Sequence, residues 1–177
     1  MYLSRTGTGQ LPDMKISRNN GHNWTTYNIS NNEQIHLNDG ETVCFKGNNP
    51  NGFNNNDTYC KFVMSGTGTL TVQGSITSLL DNGKGDLAII PNEHCFKNLF
   101  DGCTKLVSAE NLKLPNNVTS NCYSYMFSGC SSLISAPELP ATTLADYCYY
   151  YMFYNCSSLT SAPTELPATT LASSCYL

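Results

Sequence analysis

The second half of the chain repeats itself, and this periodicity limits the fold more than any other feature. Aligned on cysteine, the units read CFKNLFDGCTKLVSAENLKLP from Cys95, CYSYMFSGCSSLISAPELPATTLADY from Cys122 and CYYYMFYNCSSLTSAPTELPATTLASS from Cys148, and CYL opens a fourth at Cys175. Unit starts lie 27, 26 and 27 residues apart. At such a period each unit is one supersecondary element, which cannot bury its apolar face alone and must stack on its neighbours.

Within each unit the first cysteine is followed by an apolar residue at the fourth position (Leu99, Met126, Met152) and Phe at the fifth (Phe100, Phe127, Phe153). A second cysteine comes at the eighth (Cys103, Cys130, Cys156), Leu at the eleventh (Leu106, Leu133, Leu159) and Ala at the fourteenth (Ala109, Ala136, Ala162). Spacings of four, one and three predict one face of a short helix. LISAPEL and LTSAPTEL alternate and then meet proline, which predicts a short extended segment. Pro140 and Pro167 turn the chain, and TTLA brings Leu144 and Leu171 inward. Each unit is therefore expected to be a short helix, a turn, a short strand and a return.

The spelling CYxxMFxxCSSLxxAPxLPATTLA resembles the leucine-rich repeats of the BspA-like class, in a variant common in Bacteroides-type proteins. The resemblance covers about half of the chain. It implies a leucine-rich-repeat solenoid and an extracellular adhesion or recognition protein of gut or oral anaerobic bacteria, or of their phages. It carries over no catalytic residue. The stretch from Trp24 through Val43 and Phe45 to Ser78, Leu79 and Leu80 is more weakly similar to the β domain that precedes such repeats.

The first half is punctuated by Asn and Gly. Residues 1–13 are polar, with Gly7, Gly9 and Pro12, and are expected as a loose tail or the remnant of a strand. From Met14 onward MKISR, WTTYNI, QIHL, ETVCFKG, YCKFVMS and TLTVQGSITSLL read as short strands separated by the turn signals NNGHN and NDG and by the polar loop NNPNGFNNND. The expected fold is thus α+β, mostly β: a small antiparallel sandwich-like domain over 14–86, followed by a leucine-rich-repeat solenoid over 87–177 with three repeats and the start of a fourth.

Only 12% of the 177 residues are charged, the net charge is −4, and the nine Lys and Arg are scattered. Nucleic acid as a partner is disfavoured, because phosphate binding needs clustered cations. No apolar run approaches the roughly 20 residues of a membrane-spanning helix. The N-terminal MYLSRTGTGQLPDMK has no apolar signal core. The chain stops early in a fourth unit, which reads as a fragment or as an end completed by a partner.

Nine cysteines invite three readings. Seven residues separate the cysteines of each repeat pair, against the two to four of zinc knuckles, so a metal site is not expected. A disulfide ladder stays open, as does a Cys44–Cys60 pair, but small apolar Cys also suits a buried column of stacked thiols. His94 adjoins Cys95, yet chain neighbours rarely form a catalytic dyad. Asn and Asp57 in the NGFNNND loop match no calcium-loop spacing. No enzyme, cofactor or metal is expected.

Aromatic residues carry the functional expectation. Tyr147, Tyr149, Tyr150, Tyr151 and Tyr154 crowd one unit, with Tyr123 and Tyr125 on the unit before. Tyr joins apolar area to a hydroxyl and suits a binding face. Packing between units is the competing reading. The expected face comprises Tyr123, Tyr125, Tyr149, Tyr150 and Tyr154, with Ser124 and Ser128 as further specificity positions. The expected function is non-enzymatic recognition or adhesion toward a protein or glycan, at a cell surface or virion. The alternative is a structural subunit of a phage tail or surface filament, self-assembling through its open end.

Overall fold

Asn, Gly and Pro cut the first half into extended pieces too short for a broad sheet. The protein is described by a computed structural model over residues 1–87 and 89–177. Strand β1 (Tyr2–Thr6) pairs antiparallel with β5 (Tyr59–Val63), setting Leu3 opposite Phe62. Strand β2 (Lys15–Ser17) lies between β3 (Thr25–Thr26) and β4 (Cys44–Lys46). Strand β6 (Leu70–Ser75) runs parallel to β7 (Leu106–Lys113), joining the first half to the first repeat.

These three small sheets replace the expected sandwich. No strand before β7 exceeds six residues, so loops supply much of the core. Tyr27, Ile29, Ile35 and Phe53 are all buried outside strands. Tyr27 shows how a loop is held: its hydroxyl accepts from the Leu3 N–H at 3.0 Å and donates to the Glu33 carbonyl. QIHL forms no strand, although Ile35 is buried and its N–H donates to the Met1 carbonyl. The stretch expected as a loose tail contains β1, because Leu3 is fully buried and anchors it.

The α+β expectation with a leucine-rich-repeat solenoid is corrected. Among the described residues, helical structure is limited to 3-10 turns at Ile29–Asn31 and Ile76–Leu79, and neither lies in a repeat. The segments expected as helices are chains of tight turns. In the first unit the N–H groups of Lys97, Leu99, Asp101 and Cys103 donate three residues back, to the carbonyls of His94, Phe96, Asn98 and Phe100. The intervening N–H groups of Phe96, Asn98, Phe100 and Gly102 donate across to Cys122, Ser124, Met126 and Ser128 of the next unit, at 2.7–3.0 Å. The second unit repeats this alternation against the third. An α-helix would direct all of these donors to the carbonyl four residues back; here half of them tie one layer to the next.

The expected strand of each unit survives fully only as β7. Glu110 in the first unit is replaced by Pro137 and Pro163 in the next two. Proline has no N–H to give a ladder, and there the extended segments shrink to single parallel bridges, Ser108 to Ser135 to Ser161, with Thr143 to Thr170 beyond.

Side chains stack in register with the backbone. Phe62, Phe100, Phe127 and Phe153 form one ladder, with centroids 5.3–5.7 Å apart and planes within 11°. Phe96, Tyr123, Tyr149 and Tyr176 form a second at 5.6–5.9 Å. Cys103, Cys130 and Cys156 donate their thiols to the carbonyls of Phe62, Phe100 and Phe127, each at 3.1 Å. Phe62 belongs to β5, so this strand occupies the place of a preceding layer and covers the first unit. Leu144 is buried as expected, but Leu171, in the outermost layer, is 65% exposed.

Candidate functional site

Four further positions of each turn segment are the residue before the first cysteine, and the second, third and sixth after it. In the first unit they hold His94, Lys97, Asn98 and Asp101, and in the second Asn121, Ser124, Tyr125 and Ser128. In the third all four are tyrosine: Tyr147, Tyr150, Tyr151 and Tyr154. With Tyr125 these rings form one continuous cluster. Tyr150 lies 4.3 Å from Tyr151, 5.4 Å from Tyr147 and 5.6 Å from Tyr125, centroid to centroid, and Tyr151 lies 5.1 Å from Tyr154. Tyr154 and Tyr147 are the most open, at 53% and 39% exposure.

The backbone under this cluster is unusual for its side chains. Tyr125, Tyr147 and Tyr151 have φ of +57°, +56° and +49°. The same places in other units hold Asn98, His94, Asn121 and Ser174, also at positive φ. A left-handed conformation costs a residue with a Cβ roughly 1–2 kcal/mol, least for Asn. Three large aromatic side chains therefore stand where the fold favours small polar ones.

The expected face is redrawn by these positions. Tyr125, Tyr150 and Tyr154 belong to it. Tyr123 and Tyr149 do not: they are 0% and 3% exposed and fill the second ladder. Burial pushes both hydroxyls above their ordinary range, and neither has a hydrogen-bond partner. Phe96 at the equivalent place in the first unit is the sequence signal that this position points inward. Ser124 and Ser128 are also buried and leave the set. Tyr147 and Tyr151 join it, four residues apart in the period of the left-handed positions.

The surroundings are electrostatically quiet. Asp101 pairs with Lys61 at 2.8 Å, and an Asp146 carboxylate oxygen accepts from the Ser173 N–H at 2.9 Å. Hydrogen bonding with Tyr150 raises the Tyr151 pKa above its ordinary value. Beside the cluster lies a recess of about 360 Å³ lined by residues including Leu139, Met152, Phe153, Tyr176 and Leu177.

Seven of the thiols are held protonated by burial. All nine cysteines are free. Burial pushes Cys60, Cys148 and Cys156 up to about 11, Cys95 and Cys103 up to about 12, and Cys122 and Cys130 further still. A reactive cysteine needs the opposite shift. His94, lowered mainly by its own burial, sits beside a thiol held protonated. Among the described residues no three His, Cys, Asp or Glu side chains gather as a metal site, and no helix is long and apolar enough to cross a membrane.

No protein-family model, curated protein or solved structure matches the chain.

Proposed function

We propose that the protein is a non-enzymatic recognition or adhesion module that binds a protein or glycan through the tyrosine face of its second and third units, at a cell surface or on a virion. One observation carries this reading. The residue before the first cysteine and the second, third and sixth after it are all tyrosine in the third unit, two of them on left-handed backbone, whereas the first unit holds His94, Lys97, Asn98 and Asp101 there and the second has tyrosine only at Tyr125. Strain retained against local preference concentrates at functional sites, and Tyr provides large contact area for little lost side-chain freedom. The repeat spelling supports the surface location.

The test compares binding of the labelled parent chain and a Tyr150→Ala/Tyr154→Ala variant to an array of glycans and surface proteins. The reading expects the parent's strongest signals to weaken at least about tenfold, the equivalent of 1.4 kcal/mol. Unchanged signals would sink it. A second reading, a structural subunit that associates with its own copies, draws on Leu166, Leu171 and Leu177, which are 56–65% exposed. Light scattering showing a monomer at all concentrations removes that alternative.

A further inference from the structure

The character of the tyrosine face narrows its partner, granted that the face is a binding surface. None of Asn121, Tyr125, Tyr147, Tyr150, Tyr151 and Tyr154 carries a formal charge, and the nearby Asp101 and Asp146 are already engaged. A charged ligand laid on these rings would lose hydration without gaining a counter-charge, which is unfavourable. Acidic glycans and phosphorylated peptides therefore fit poorly.

The ring geometry separates the neutral candidates. A polyproline helix docks into slots between aromatic rings. Here the gaps are filled by the rings themselves: Tyr150 and Tyr151 are 4.3 Å apart, and Tyr150 meets Tyr125 and Tyr147 edge-on at 80° and 79°. What remains is a packed cluster of phenol rings whose most open members are Tyr154 and Tyr147. A pyranose has the matching character, with an apolar C–H face and a rim of hydroxyls that both donate and accept.

The platform is also held in place. The Tyr125 N–H donates to the Tyr150 carbonyl at 2.9 Å, the Tyr147 N–H to Ser173 at 2.9 Å and the Tyr151 N–H to Leu177 at 2.7 Å. The backbone beneath the rings therefore needs no ordering on binding. Because the rings span two layers, a chain of sugars can cover more of them than one sugar can.

We propose that this face is a docking platform for an uncharged, unbranched oligosaccharide, whose pyranose rings stack on Tyr147, Tyr150 and Tyr154 while the phenol groups hydrogen-bond its hydroxyls. The ligand runs along the third unit, with Tyr125 of the second beside it, and affinity grows with its length until the tyrosines are covered.

The experiment is titration calorimetry of the full chain with cellohexaose, maltohexaose, mannohexaose and xylohexaose, with hexagalacturonate and a decaproline peptide alongside. At least one neutral hexasaccharide is expected to bind, more tightly than its disaccharide and independently of salt. Tyr150→Ala/Tyr154→Ala is expected to weaken that binding by about tenfold or more. Tyr154→Phe, which keeps the ring, is expected to weaken it by only a few-fold. An unchanged thermal unfolding profile shows that the variants are folded. No binding by any neutral hexasaccharide overturns the proposal. Binding of hexagalacturonate instead, lost in the double variant, overturns the uncharged character of the ligand, and binding of decaproline instead overturns the oligosaccharide assignment, while either leaves the tyrosine face as a binding surface. Sugar binding that survives the double variant overturns both.

Discussion

Every fourth residue of a repeat's turn segment is left-handed: His94, Asn98 and Gly102, then Asn121, Tyr125 and Gly129, then Tyr147, Tyr151 and Asn155. Gly129, at φ +70°, has no atom closer than 3.6 Å to where a Cβ would stand, so conformation and not crowding decides its tolerance. Gly129→Ala is expected to cost about 1 kcal/mol in denaturant unfolding, and Gly129→Asn less, since Asn155 holds the matching place. Equal costs would deny the left-handed assignment. The thiols give a second prediction at this scale. Their folded pKa values lie above the ordinary 9.0, so the native state binds more protons than the unfolded state once pH exceeds that value. The stability they contribute is therefore complete below about pH 9 and lost as pH rises towards 11–12. Each raised thiol adds about 1.4 kcal/mol of loss per pH unit inside that window. The buried thiols should stay inert to a thiol reagent until the chain unfolds at alkaline pH; rapid native-state labelling of Cys122 or Cys130 would contradict this.

The inward set at the first, fifth, sixth and ninth places of each unit was legible in the sequence. The type of element was not. Spacings of four, one and three fit a helix face, and they fit equally a ribbon of tight turns with a period of four. What distinguishes the two is a second signal in the same residues: His, Asn and Gly recurring every fourth place, which suits left-handed backbone and is poor in a helix interior. The tyrosines at Tyr125, Tyr147 and Tyr151 obscured that signal. The expected strands shorten to single bridges where Pro137 and Pro163 stand in place of Glu110. Far-UV circular dichroism should accordingly lack the double minimum of α-helix. Phe127 holds the middle of its ladder at 0% exposure, so Phe127→Ala is expected to cost about 3–5 kcal/mol in chemical denaturation. A cost below about 1 kcal/mol would mean that the stacked layers are not where the stability lies.

Across the whole molecule a single buried cluster runs from Leu3 to Cys175. Its continuity depends on β5. Phe62 stacks on Phe100 at 5.3 Å, its carbonyl accepts the Cys103 thiol, and its N–H donates to Leu99. Expressed without residues 1–86, the repeats would expose Phe100 and Cys103 and should fail to give a dispersed amide spectrum; a well-folded fragment would show that β5 is dispensable. The crowding of tyrosines in one unit was visible in the sequence. Which of them point outward was not, because that depends on the phase of the turns. On the proposed reading the tyrosine face is a feature added to the stack and not one that the stack needs. The most direct measurement is the unfolding free energy of the double variant Tyr147→Asn/Tyr151→Asn, which places at both left-handed positions the residue found at Asn121 and Asn98. Relief of strain offsets the lost ring contacts, so its stability should equal or exceed the parent's within about 1 kcal/mol. A loss of several kcal/mol would contradict the account, because those rings would then be structural and the case for a recognition face would fall.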